Sequence, residues 1–230
     1  MADPRKRLDA NRAGNFYVDS TCIDCDACRQ LAPASFAEVG DYSAVTHQPI
    51  TELEQRQAYR ALLACPTGSI GVEYSNHTLL NAAKADFPLL IEGNVYYCGF
   101  NAEQSFGANS FFVHHPDGNW LIDSPRYLKP LVDAFDRLGG IAHIFLTHED
   151  DVADAARYAR RFGAERIIHR ADVHAMPDAE VIIEEAAPRL YGNDFRIIPV
   201  PGHTAGSLCL LYRDRFLFTG DHLWWDPEMR

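Results

Sequence analysis

The sequence predicts two units in series, an α+β unit folded around a cysteine-rich loop and an α/β layered unit behind it. Three observations carry this. Four of the six cysteines, Cys22, Cys25, Cys28 and Cys65, fall in the first third of the 230 residues. From Leu89 onward, short apolar runs broken by Gly, Asn and Asp-Gly give way to alternating strand-like and helix-like segments. In that second part, side chains able to bind metal come directly after apolar runs.

The bulk numbers fit this division. A chain of 230 residues with 47% hydrophobic residues can bury a real core. The formal charge of −11 argues against nucleic acid or an anionic membrane as partner, because both need basic patches. It suits a protein that meets small molecules or a basic partner; the expected partners are a small-molecule substrate and, from the cysteine-rich unit, a redox partner protein. No run of eighteen apolar residues occurs, so no membrane span is expected. The opening "MADPRKRLDANRAG" has charge but no apolar core, which reads as a polar tail over residues 1–16 rather than a secretory signal. The cysteine pattern is not that of a disulfide framework, and a reducing cytoplasm is expected.

The first unit is placed at residues 17–74. "CIDCDACRQLAPASF" sets Cys22, Cys25 and Cys28 at C-x2-C-x2-C spacing. A tight loop of this kind can wrap three corners of a cuboidal iron–sulfur cluster, with backbone N–H groups turned to the sulfurs. The fourth corner has to come from farther along. "TELEQRQAYRALLAC" is helical in spacing, with Thr51 and Glu54 forming a capping box, and it returns Cys65 to the loop. Pro66 then turns the chain. Zinc is the competing ligand, but this spacing suits it poorly, since zinc knuckles prefer paired cysteines in two separate turns.

With the Cys-Pro and the "PTGSI" after it, this stretch resembles a single-cluster bacterial-type ferredoxin. The resemblance covers about a quarter of the chain. It implies a [4Fe–4S] cluster on Cys22, Cys25, Cys28 and Cys65, with a [3Fe–4S] form left open. The isolated Cys98 and Cys209 stand outside it.

Residues 75–88 read as a linker or joining helix, and the second unit as residues 89–230. "LLIEGNVYYCGF", "NSFFVHH" and "NWLIDS" are strands, with "HPDGNW" a hairpin turn. "YLKPLVDAFDRLGG" is a helix closed by glycines, "IAHIFLTH" a strand, "DVADAARYARRFG" a helix and "RIIHR" a strand. Three strands follow in "FRIIPVPGHTAGSLCLLY" and "RFLFTGDHL".

Chemistry collects at three strand exits: His148 with Asp150, Asp151 and Asp154; His203 in "PVPGHTAGS"; and Asp221 in "FLFTGDH". Together with "LIDS", their order and spacing resemble the metallo-β-lactamase fold. That resemblance implies an αββα layering, one or two divalent ions such as Zn, Fe or Mn, and His148, His203 and Asp221 as ligands. It also implies a further histidine well beyond "TGD"; the sequence ends at Arg230, nine residues past Asp221, so the unit is expected to be C-terminally short.

The family's H-x-H-x-D-H is altered here. Read without gaps it falls on His148, Asp150, Val152 and Ala153. Read with two inserted residues, Asp154-Ala155 stands for the Asp-His pair, and Asp150 or Asp151 replaces the second histidine. The second reading is preferred because it keeps an aspartate, which makes Asp154 a ligand with His148, Asp150, His203 and Asp221. The bland alternative makes Asp151 a helix cap and pairs Asp154 with Arg157. An oxygen-rich set favours Fe(II), Mn(II) or Mg(II) over zinc. His169 is expected to be a hydrogen-bonded strand end and His222 a neighbour of the site. His114, His115, His143 and His174 are expected at the surface.

Three functions follow. The leading one is a metal-dependent hydrolase for an unidentified small substrate, the cation activating water and polarising the substrate. The second is a redox enzyme, similar to the flavodiiron branch, with a carboxylate-rich iron site fed by the cluster; no flavin-binding segment follows in this chain. The third is a redox sensor or electron carrier whose second metal site is degenerate.

Overall fold

The computed structural model describes residues 2–223. Residues 224–230, the end of the expected second unit, lie outside that range. The first unit is built from β1 (Phe16–Val18), α1 (Ala27–Leu31), β2 (Phe36–Val39), β3 (Tyr42–Val45), α2 (Glu52–Ala64) and β4 (Ile70–Val72). β1 pairs antiparallel with β4, and β2 with β3. The capping box is present: the Thr51 hydroxyl accepts from Glu54 N, and the Glu54 carboxylate accepts from Thr51 N. α2 buries Ala58, Tyr59, Ala61 and Ala64. These join Phe16, Val18, Phe36 and Val45 in a core of their own.

Two expectations need correction here. Residues 2–15 are pinned to the first unit rather than forming a tail. Leu8 N donates to Val18 O, and the Asn11 side chain accepts from Val18 N and Val45 N, so it splices two strands together. The joining segment is a helix, α3 (His77–Ala85), which belongs to the first unit: Leu79 and Ala83 sit in its core, and Asp86 receives Arg56 and Arg60 from α2.

The second unit continues with β5 (Leu89–Glu92), β6 (Val95–Tyr97), β7 (Phe111–Val113), β8 (Trp120–Ile122), α4 (Lys129–Arg137), β9 (His143–Phe145), α5 (Ala155–Phe162), β10 (Glu165–His169) and β11 (Val181–Ile183). It closes with β12 (Arg189–Tyr191), β13 (Phe195–Pro199), β14 (Leu208–Tyr212) and β15 (Phe216–Phe218). One sheet has seven strands in the order β11-β10-β9-β8-β7-β6-β5, antiparallel from β5 to β8 and parallel from β8 to β11. The other is an antiparallel four-stranded sheet, β12-β13-β14-β15. β11 and β12 are additions to the sequence reading.

Alternation along the strands makes the layers. Trp120, Ile122, Phe145 and Ile167 face the four-stranded sheet and meet Phe195, Ile197, Leu208 and Leu210. Leu121, Ile144 and Ile168 face the other way, onto Leu131 and Phe135 of α4 and Tyr158 of α5. The result is an α–β–β sandwich. The second helix layer of the expected αββα arrangement is absent among the described residues. Parallel β8, β9 and β10 all end at one edge, and β13 and β15, which run parallel to each other on either side of β14, deliver the remaining site loops.

Candidate metal centres

The Cys22–Cys28 loop turns sharply because Asp24 and Asp26 adopt left-handed backbone angles, φ 55° and 64°. The Arg29 guanidinium donates to both carboxylates and locks that turn. α2 then delivers Cys65, and all four thiols line one cavity with Val18, Ile23, Ser43 and Ile70. Backbone N–H groups of Asp24 and Ser69 point at the sulfurs of Cys22 and Cys65, 3.4 and 3.3 Å away. Burial pushes the Cys25 thiol up to about 11 and Cys28 up to about 12. Such thiols ionise at neutral pH only against a strong positive charge, which iron supplies. Four thiols lining one cavity are the donor set a cuboidal cluster needs. Cys98 and Cys209 are buried elsewhere.

At the sandwich edge, His148 follows β9, His203 lies in the loop between β13 and β14, and Asp221 follows β15. Gly220 has φ 48°, and any Cβ there would run into Thr147, so this glycine lets the "TGD" turn lie against the residue before His148. The two imidazoles are 5.0 Å apart between ring centroids. Oδ2 of Asp150 lies 3.5 Å from Nε2 of His148 and 3.3 Å from Nε2 of His203. Oδ2 of Asp221 lies 3.7 Å from each of the same nitrogens. The edges of a tetrahedron around an ion bound at about 2.1 Å measure roughly 3.4 Å; His148, His203 and Asp221 each offer an atom within 4.8 Å of the others, as ligands of one cation would, and Asp150 lies against the same two nitrogens.

The imidazoles are prepared for it. Asp123, just past β8, accepts from Thr147 N at 2.8 Å and from Thr147 Oγ1 at 3.0 Å. Thr147 Oγ1 in turn lies 3.0 Å from His148 Nδ1 and accepts its proton. The lone pair is thereby left on Nε2, which is buried, faces Asp150, His203 and Asp221 and has no hydrogen-bond partner among the described residues. Burial holds His148 below its ordinary value, despite Asp221 and Asp150 beside it, so the ring is neutral as a ligand must be. Asp172, 1% exposed, accepts from Thr204 Oγ1 (2.6 Å), Gly206 N (2.9 Å) and Glu149 N (3.2 Å). It clasps the loops of both histidines together. Sequence reasoning missed Asp123 and Asp172; "LIDS" was a signal for the first, and nothing local marks the second.

Asp154 stands apart from these ligands. Its carboxylate accepts from Tyr127 N at 2.7 Å and from Arg157 at 3.1 Å. Ala155 is fully buried in the core with Ala159, with Val152 packed against it. The inserted reading of the motif is therefore corrected: the ungapped one places Asp150 at the second-histidine position and leaves apolar Val152 and Ala153 where further ligands would come. Asp151 does not cap by its side chain. Its oxygens are buried without partners behind His148, and burial together with Asp123, Asp221 and Asp150 pushes it up to about 9. His169 accepts from Ala171 N as a strand end should, and His222 is exposed beside the site. His115, expected at the surface, is buried against Asp194 at 2.9 Å. His143 is partly covered by Trp120, while His114 and His174 are exposed.

Residues 18–72 match the family described as the 4Fe-4S single cluster domain of Ferredoxin I. The first unit is a ferredoxin-type domain. Among curated proteins, the chain is 32% identical over 140 residues to a hydroxyacylglutathione hydrolase of Rhizobium etli, covering 58% of this chain and 52% of that protein. It is also 32% identical over 123 residues to the hydroxyacylglutathione hydrolase of Cereibacter sphaeroides, covering 50% and 48%. The chain spans about half the length of the curated relatives it matches. Solved structures similar to it include a metallo-β-lactamase motif mutant from Cronobacter sakazakii, at 19% identity and TM-score 0.45 over 57% of this chain and 62% of that one. Another is a class B3 di-zinc metallo-β-lactamase from an Alaskan soil metagenome, at 17% identity and TM-score 0.43 over 60% of each chain. No described helix is long and apolar enough to cross a membrane.

Proposed function

We propose that this chain is an iron–sulfur metallohydrolase. In this reading Cys22, Cys25, Cys28 and Cys65 hold a [4Fe–4S] cluster, and His148, Asp150, His203 and Asp221 hold one divalent cation. The observation that carries it is the convergence of two imidazole Nε2 atoms and two carboxylates at 3.3–3.7 Å, with the buried Nε2 of His148 lacking any other partner. A cation held there would supply Lewis acidity, polarising an acyl carbonyl and favouring the ionisation of water to a nucleophile at neutral pH. The chain's own residues do the rest. His148 is held by Thr147 and Asp123 in the tautomer that leaves Nε2 free. Asp150 and Asp221 sit on the open side, where their outer oxygens can accept a proton from water. The curated relatives are named for hydroxyacylglutathiones, and an acylated small molecule of that kind is the substrate class we favour.

The test is metal analysis of anaerobically prepared protein, followed by hydrolysis of a panel of acyl thioesters and lactams. Four cluster irons, one further divalent ion and turnover abolished by His203→Ala are expected. Retained turnover in His203→Ala, or no metal beyond the cluster, refutes the hydrolase. A second reading is favoured by Asp150: two imidazoles and two carboxylates suit iron as well as zinc. A fifth iron with no hydrolysis would mark a redox centre fed by the cluster.

A further inference from the structure

Arg126 lies on the second unit, in the segment that follows β8, yet its guanidinium reaches the first. Nη2 donates to the carbonyl of Leu63 at 2.7 Å and to that of Cys65 at 3.3 Å, and Nε donates to Phe100 O at 3.4 Å. Its placement is fixed from behind. Arg126 N donates to Phe100 O at 2.9 Å, its carbonyl accepts from the Tyr158 hydroxyl at 2.9 Å, and the next residue is held by Asp154.

What it lacks is a counter-charge. Among the described residues no carboxylate lies within ion-pair reach of Arg126; its acceptors are three neutral carbonyls. Arg29, the other guanidinium near the cysteines, is fully matched by Asp24 and Asp26. A guanidinium cannot escape its charge by losing a proton. Arg126 is half-buried, and taking a guanidinium partly out of water with no anion beside it is costly. Burial does lower Arg126, and the largest opposing charge effect comes from Cys65.

We infer that Arg126 is a positioning residue for the cluster's redox chemistry: its fixed positive charge is the counter-charge of the cluster and raises the cluster's reduction potential. The inference rests on Cys22, Cys25, Cys28 and Cys65 holding the cluster. Four thiolates around a [4Fe–4S]2+ core carry a net charge of about −2, and one-electron reduction makes it about −3. A nearby fixed cation stabilises the more negative state and so favours reduction. Because the charge comes from the second unit, the potential depends on how the two units are docked.

The experiment is a spectroelectrochemical titration of anaerobic full-length protein, wild type against Arg126→Gln and Arg126→Lys, with dithionite as reductant and iron and sulfide measured first. The Gln variant should shift to lower potential and the Lys variant should recover most of the shift. If Gln fails to load a cluster while Lys loads one, the need for charge is shown by loading instead. A Gln variant with wild-type potential, a Lys variant shifted as far as Gln, or two variants that both fail to load would each overturn the inference, leaving Arg126 a structural clasp. A wild type without iron and sulfide removes the cluster itself and the inference with it, and is told apart from the other failures before any variant is titrated.

Discussion

Asp172→Ala is the substitution that separates a built metal centre from a chance meeting of polar side chains. The carboxylate is buried and serves three donors on two loops: Glu149 N beside His148, and Thr204 Oγ1 and Gly206 N beside His203. Removing it strands the buried Gly206 N, while Glu149 N and the Thr204 hydroxyl, on partly exposed residues, can turn to water, and the Thr204 hydroxyl also has Ser207 Oγ at 2.9 Å. One stranded buried donor gives a loss of about 1–3 kcal/mol. The histidine loops then drift, and removing a residue that orients ligands typically weakens a metal site by about 10–100-fold. Asp172→Asn keeps one acceptor and should fall between. Urea unfolding followed by circular dichroism gives the first quantity, and competition with a chelator for Zn(II) or Mn(II) gives the second. A loss under about 0.5 kcal/mol with unchanged metal affinity would refute the clasp.

Cys65→Ala should lose or convert the cluster, whereas Cys98→Ala, buried far from the cysteine cavity, should keep full iron and sulfide; equal iron contents in the two variants would count against the cysteine assignment. Ala155→His should leave metal stoichiometry unchanged and cost about 1–3 kcal/mol by overpacking a fully buried position; tighter binding of a second ion by titration calorimetry would reinstate the inserted motif. Burial raises Asp86, but Arg56 and Arg60 outweigh it and hold the carboxyl below its ordinary 3.8. A depressed carboxyl contributes stability that is complete above the unfolded value and lost as pH falls through the folded one. The stability gap between wild type and Asp86→Asn should therefore be flat near neutrality and shrink below pH about 4; a gap that stays constant into acid would show that the ion pair contributes nothing.

Much of this was legible because it is local. The cysteine spacing, the Cys-Pro and the Thr51–Glu54 box each lie within a few residues, and the strand-exit positions of His148, His203 and Asp221 follow from apolar runs ending in ligand types. Asp154 misled because its decisive partner, Tyr127 N, lies 27 positions earlier and is a backbone group with no sequence signature. Asp172 was invisible for the same reason, its partners being 23 to 34 positions away in either direction. The neighbours His114 and His115 were read alike, although successive residues at a strand end face opposite ways, so one of them had to turn inward. β11 and β12 are three residues each, too short for periodicity to register.

The first unit is contiguous, and that orders its assembly in time. On a chain made from its N-terminus, the last of the four clustered cysteines, Cys65, precedes Arg126 by 61 residues. At roughly 5–20 residues per second, synthesis separates them by about 3–12 s. Gly107, whose Cα lies so close to Cys25 that a Cβ would collide with it, also arrives after all four cysteines. During that interval the cysteine pocket is complete but not yet covered by the second unit. Under the proposed assignment, iron and sulfide delivered then would meet an open doorway that the later unit closes.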